Sequence, residues 1–191
     1  MTSIKDQKVK EFLKELSSSA PTPGGGAAAA LAGAVAAGLV GKVAVLTLGE
    51  EFKQLENKAI KLQSELLKLA DEDCQAYDEV VGVYRLSKKS EKGEERRKEK
   101  IQEALKKAAE VPLETAKKSL EVLRLASFAA AKGNQNCLSD ARCGIELATA
   151  AIYGALENVR INLKLIEDEK FTENLRDEIE KILAEESLKS G

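Results

Sequence analysis

The sequence predicts an all-α, single-domain bundle of about six helices arranged around a central helix rich in alanine and glycine. Three observations carry this expectation. No stretch alternates apolar and polar residues with the period of a strand, whereas apolar residues recur at three- and four-residue spacing almost throughout. The stretches marked in this way are mostly separated by short turns of Pro, Gly, Ser, Asn and Asp. Finally, Ser17–Leu48 starts with a proline- and glycine-punctuated turn and continues as Ala, Gly, Val and Leu with a single charge, Lys42. A helix so poor in large side chains offers a surface partner little to hold and belongs where neighbours press on it from all sides. At 191 residues the chain is expected to form one domain, 1–191.

The first helix has Ile4, Val9, Phe12, Leu13 and Leu16 at spacings that put them on one face. In the second, Thr22 suits an N-cap and Pro23 the first helical position, where the missing N–H costs nothing. The third, from about Glu50 to about Leu86, shows Leu55, Leu62, Leu69, Ala76 and Val83 every seventh residue. The interleaved set is Ala59, Leu66, Asp73 and Val80, so an aspartate interrupts an apolar seam. A charge-dense connection, 87–100, becomes helical toward its end. Ile101, Leu105 and Ala108 lead to Pro112, where a break or kink is expected. Leu113, Ala116, Leu120, Leu123 and Ser127 carry the seam on to Lys132. The tract GNQNCLSDA, 133–141, is a second strong turn, with Gly133 suited to a C-cap and Ser139 or Asp140 to an N-cap. The fifth helix has an apolar seam (Ile145, Thr149, Ile152, Leu156, Val159, Leu163, Ile166) beside one of small residues, Gly144, Ala148, Ala151 and Ala155, that ends in Asn158 and Asn162. The small seam is the natural mate of the alanine–glycine helix. Leu175, Ile179, Ile182 and Leu183 mark the last helix.

Composition excludes several classes of function. Lys+Arg 30 against Asp+Glu 32 argues against a broad basic surface for nucleic acid. The chain has no histidine, so acid–base chemistry falls to carboxylates, lysine, tyrosine or cysteine, and the commonest metal ligand is missing. Three cysteines, Cys74, Cys137 and Cys143, form no Cys-x-x-Cys pair, so no metal site is expected and a reducing cytoplasm is. The first residues have helical amphipathic spacing, unlike a secretory signal. Ala27–Leu48 is long enough to span a bilayer, but Lys42 would cost roughly 2.5–3.5 kcal/mol near its centre, and a buried soluble helix is expected instead.

Four features could carry chemistry. Pro23, Gly24, Gly25 and Gly26 form either a tight turn for close packing or a cradle of backbone N–H groups for an anion or oxyanion. Asp73, with Asp71 nearby, either fixes helix register or faces a pocket as a proton-exchanging group. Asn134, Asn136, Ser139 and Asp140 are ordinary turn residues or site residues in the second turn. Asn158 and Asn162 either bond to backbone across the bundle or read a flat heterocycle.

The blocks SSSAPTPGGGAAAALAGAVAAGLV, DEDCQAYDEV, EVPLETA and GNQNCLSDARCGIELATAAIYGALENVRINLKLI resemble, in order and over essentially the whole chain, the cyclodeaminase/cyclohydrolase family of folate enzymes. In animals that family forms the C-terminal half of formimidoyltransferase-cyclodeaminase; in some bacteria it stands alone as methenyltetrahydrofolate cyclohydrolase. The resemblance implies an all-α fold, a homodimer or higher oligomer, a tetrahydrofolate derivative as substrate bound near a subunit interface, and no metal or redox cofactor. Pro23, Gly24, Gly25, Gly26, Asp73, Cys137, Ser139, Asp140, Asn158 and Asn162 fall on the family pattern. Ala27, where serine is common, and Arg142-Cys143-Gly144 depart from it.

The resemblance carries over no catalytic assignment; from their chemistry, as groups able to supply acid–base catalysis or a counter-charge, Asp73 and Asp140 are the expected catalytic residues. Pro23, Gly24, Gly25, Gly26, Asn136, Ser139, Asn158 and Asn162 are expected to bind substrate, with Lys42 and Lys132 available to tail carboxylates. The reaction is either cyclodeamination of a formimidoyl folate or hydrolysis of a methenyl folate. These 191 residues contain no formimidoyltransferase half, which tilts the expectation toward the hydrolase. The alternative is a non-catalytic helical module that keeps the fold, an idea supported only by Ala27.

Overall fold

The structure, a computed structural model, describes residues 3–86 and 91–187. Among these there are six α-helices and no strand: α1 (Val9–Leu16), α2 (Gly25–Val45), α3 (Glu50–Tyr84), α4 (Glu91–Lys132), α5 (Leu138–Leu163) and α6 (Glu169–Ser187). Short 3₁₀ turns at Ile4–Asp6 and Gln135–Cys137 precede α1 and α5. Residues 87–90 of the charge-dense connection lie outside the described residues.

Helix α2 packs on α3, α4 and α5. Its Ala27, Ala30, Ala34, Ala36, Ala37, Val40 and Val43 are buried. Small side chains on both partners let α5 approach closely: Gly144 lies against the carbonyl of Ala36 and the Cβ of Leu39, and Gly154 against Ala29. These pairs run antiparallel. Leu55, Ala59, Leu62, Leu66 and Leu69 of α3 and Leu105, Ala109, Ala116 and Leu123 of α4 complete the core. Gly49, at φ +132, turns the chain between α2 and α3 in a conformation only glycine adopts without strain.

Local expectations fail in four places. In α1 only Phe12 is buried, while Val9 and Leu13 are exposed, because eight residues present too little surface to hold a full apolar stripe on the bundle. The N-cap of α2 is Gly24, not Thr22; the Thr22–Pro23 bond is cis and Pro23 stays outside the helix. The N-cap of α5 is Cys137, which places Ser139 and Asp140 inside the first turn. Pro112 neither breaks α4 nor ends it: the helix runs on through the proline for 42 residues in all. The ring removes the N–H that would bond the carbonyl of Ala108. That carbonyl instead accepts the side-chain amide of Asn162 at 2.7 Å.

Candidate functional site

Helices α2 and α5 are antiparallel, and this decides where each candidate residue lies. The turn before α2 faces the C-terminal half of α5, and the turn before α5 faces the C-terminal end of α2. Gly26 and Lys42 mark these two ends and lie about 24 Å apart along the helix axis. The candidates therefore fall into two clusters.

The first cluster is built around the N-terminus of α2. Pro23 is buried, Gly24 caps the helix, and Gly25 and Gly26 occupy its first two positions, whose N–H groups have no helical carbonyl to bond. Asp73 approaches from α3 and accepts a hydrogen bond from the Ala27 N–H, so it caps α2 from outside the helix. Its carboxyl lies flat on Gly26: a Cβ there would stand 2.0 Å from Oδ1. Burial pushes the Asp73 carboxyl above its ordinary value, and the Ala27 N–H partly offsets this. Asn158 completes the group. Its Nδ2 donates to the Gly154 carbonyl at 2.8 Å and lies 3.3 Å from where a Cβ on Gly25 would be.

The second cluster surrounds the N-terminus of α5. Asp140 and Lys42 form an ion pair at 2.8 Å, and the carboxylate, by hydrogen bonding and then by charge, holds the Lys42 ammonium above its ordinary value. Ser139 and Asn136 are exposed; the Asn136 N–H donates to Asn134 Oδ1. Asn134 ties this turn to the end of α2 through bonds to Thr47 Oγ1 and the Leu46 carbonyl. Lys132 is exposed.

The structure thus brings Gly24, Gly25, Gly26, Asp73 and Asn158 together and sets Asn136, Ser139 and Asp140 apart from them within one chain. Asn162, one turn beyond Asn158 on α5, donates one amide N–H to the Ala108 carbonyl at 2.7 Å. Tyr77 lies one turn beyond Asp73 on the same face of α3; the heptad seam steps past it through Ala76 and Val80, and the i, i+4 spacing from Asp73 is the sequence signal that points to it.

A cavity of about 800 Å³ opens on the opposite side of α3 between the N-terminal segment and Asp71, Cys74 and Asp78. Asp71 holds that segment by accepting from the Ser3 hydroxyl and, at 2.6 Å, from the Ile4 N–H. Desolvation, with Asp73, Asp71 and other nearby carboxylates, pushes the Cys74 thiol up to about 11, so it is no nucleophile at neutral pH. The lining is rich in carboxylates and repels anions. Among the described residues no three carboxylate, thiol or imidazole groups converge where a metal could sit.

The head of α2 holds a half-buried carboxyl, raised above its ordinary value, beside helix-start backbone N–H groups. It suits a reaction in which a nitrogen-bound carbon becomes tetrahedral and protons move. Comparison with known proteins bears directly on which reaction. A family model described as formiminotransferase-cyclodeaminase matches residues 8–181. A methenyltetrahydrofolate cyclohydrolase of Methylorubrum extorquens is 40% identical over 188 residues, covering 94% of this chain and 90% of its own. The formimidoyltransferase-cyclodeaminase of Rattus norvegicus is 31% identical over 191 residues; the match covers 96% of this chain but only 35% of that protein. The crystal structure of formiminotetrahydrofolate cyclodeaminase from Thermotoga maritima has the same fold, with a TM-score of 0.87 at 29% identity over 96% of this chain and 92% of that one.

Proposed function

The chain belongs to the formiminotransferase-cyclodeaminase family, and from that premise we propose that it is a folate enzyme acting on the carbon that bridges N5 and N10 of tetrahydrofolate. The observation that carries the proposal is the Asp73 carboxyl, held between Gly26 and the Ala27 N–H at the open end of α2. We take the reaction to be hydrolysis of the methenyl bridge. The 40% identity to a cyclohydrolase along nine-tenths of that protein's length favours it. Water adds to the methenyl carbon, the C–N5 bond breaks, N5 keeps its electron pair, and one proton is released with 10-formyltetrahydrofolate. Asp73 accepts a proton from the water and returns one to the departing N5. The N–H groups of Gly25 and Gly26 face the oxygen as negative charge gathers on it, and Asn158 reads the pterin edge. The structural likeness to a cyclodeaminase supports a second reading. There N10 attacks a formimidoyl carbon on N5, and ammonia leaves with a proton that Asp73 supplies.

The active unit we propose is a homodimer. Leu31, Val35, Leu39, Lys42 and Val45 form a stripe of partly and fully exposed residues along α2, apolar apart from Lys42. This is also the one described helix long and apolar enough to cross a membrane, and half of its most apolar window is buried in the bundle. A two-fold axis near Val35 would cover the other half and set two α2 helices antiparallel. The Gly24–Gly26 end of one chain would then meet the Lys42–Asp140 end of the other, joining two clusters that one chain holds about 24 Å apart. We place the protein in the cytoplasm, where the buried Cys74 and Cys137 and the exposed Cys143 would remain free thiols.

Two assays test the reading. Loss of methenyltetrahydrofolate absorbance, faster than the spontaneous rate, is the expected result. Ammonia release from 5-formimidoyltetrahydrofolate would establish the second reading, and inactivity in both assays would leave the protein a non-catalytic member of the fold.

A further inference from the structure

Helix α3 outruns α2. Its α2-facing residues run from Ala59 against Gly41, through Gln63 against Gly38 and Leu66 against Gly33, to Asp73 against Gly26. Continued at helical spacing, that same face carries Tyr77, Val80 and Tyr84, which turn to within about 40° of Asp73 around the helix. These residues have no α2 opposite them, because α2 begins at Gly25. The face rises about 16 Å beyond the Asp73 carboxyl. It also carries most of the tyrosines of an aromatic-poor chain. The protein has three tyrosines and no tryptophan, and two of the three stand here, Tyr77 43% and Tyr84 47% exposed. Tyr84 is partly occupied: the Arg97 guanidinium lies 5.8 Å from its ring centroid and donates to its carbonyl at 2.7 Å. Tyr77 is similarly exposed, and among the described residues no cation lies over its ring.

We infer that Tyr77 binds the aminobenzoyl ring of the folate. The inference rests on the folate reading and deepens it. With the bridging carbon at Asp73 and the pterin toward Asn158, the group attached to N10 must leave on another side. Tyr77 stands about 6 Å along α3 from Asp73, a distance the aminobenzoyl group spans. An aromatic face offers a neutral benzamide ring stacking and burial without a charge to desolvate. Tyr77 is thereby a substrate-binding residue, and its work is to place N10 and not to move protons.

The test uses the full-length protein and the variants Tyr77→Ala and Tyr77→Phe. Loss of one stacking platform is expected to raise KM about tenfold in Tyr77→Ala, with kcat nearly unchanged. Tyr77→Phe should behave as wild type. p-Aminobenzoylglutamate should inhibit Tyr77→Ala more weakly than wild type by a similar factor, while 6-methyltetrahydropterin should inhibit both equally. An unchanged KM, a fall in kcat alone, or equal weakening of both inhibitors would overturn the inference. So would a Tyr77→Ala protein whose mass by light scattering differs from wild type, for the face would then be a subunit interface. Should the wild type turn over neither folate, the proposed function fails by itself. Equilibrium dialysis of p-aminobenzoylglutamate against wild type and Tyr77→Ala then decides the role of Tyr77 separately.

Discussion

The side-chain amide of Asn162 donates at 2.7 Å to the main-chain carbonyl of Ala108, the one acceptor in α4 that Pro112 strips of its helical donor. A residue 54 positions away supplies the missing bond and lets the longest helix pass through a proline. Asn162→Ala should therefore destabilise the protein by about 1–3 kcal/mol. Pro112→Ala restores an N–H, so the two substitutions should be non-additive, with Asn162→Ala costing less in the Pro112→Ala background. Chemical denaturation of the four proteins measures the coupling.

The contact between Asp73 and Gly26 leaves no room for a methyl group. Gly26→Ala should displace the carboxyl and lower turnover by at least about a hundredfold, as Asp73→Asn should, while the helical circular dichroism is retained. Normal activity in Gly26→Ala would separate Asp73 from the chemistry.

Asp73→Asn should also reveal a trade of stability for function. Its native carboxyl titrates above its ordinary value because burial disfavours the charge. The unfolded chain thus gives up this proton more readily than the folded one, and the wild type loses stability as pH rises through the native value. The amide cannot ionise. Asp73→Asn should match the wild type in strongly acidic solution and unfold at higher temperature at neutral pH. Thermal melts across pH are the measurement, and a lower melting temperature at neutral pH would contradict it.

Ser119 is fully buried, and its hydroxyl, packed where a Cβ on Gly33 would stand 2.7 Å away, has no hydrogen-bond partner among the described residues. Ser119→Ala removes a desolvated group without opening a large cavity. Stability should stay constant or rise by about 1 kcal/mol. A loss of more than that in calorimetry would show that the hydroxyl has a partner.

Hybrid dimers address the shared site. Asp73→Asn and Asp140→Asn proteins, each impaired alone, should recover turnover when their subunits are exchanged, because one site in each hybrid then has both carboxylates. If exchange is complete by mass spectrometry and no activity returns, Asp140 has only its structural bond to Lys42.

Much of the fold was legible in the sequence because helical periodicity and residue size are local properties. The heptad of leucines in α3 and the Gly144–Ala155 seam identify their buried faces without reference to a partner, and both are buried as expected. The candidate site was legible only in part. Asp73 stands out because a charge on an apolar seam must have a neighbour, and the neighbour is the turn at Gly26. That Asp140 lies at the far end of α2 depends on the antiparallel pairing of α2 with α5, which no window of sequence shows. The fate of Asn162 was hidden for the same reason: the group it serves is defined by a proline on another helix.

The glycines of α2 do more than thin the helix. Gly26 admits Asp73, Gly33 admits Ser119 and Leu66, and Gly38 admits the end of Gln63. Together they work like the cuts of a key, each set for the protruding side chains of its neighbours. Sliding α2 by a residue would turn it about 100° and drive side chains into at least two of the three gaps, Ala32 and Ala37 in one direction and Ala27, Ala34 and Leu39 in the other. Insertions in the 17–24 turn should accordingly be absorbed, while deletion of a single alanine from α2 should be ruinous although it removes only one methyl group. In this helix the order of the smallest residues specifies position.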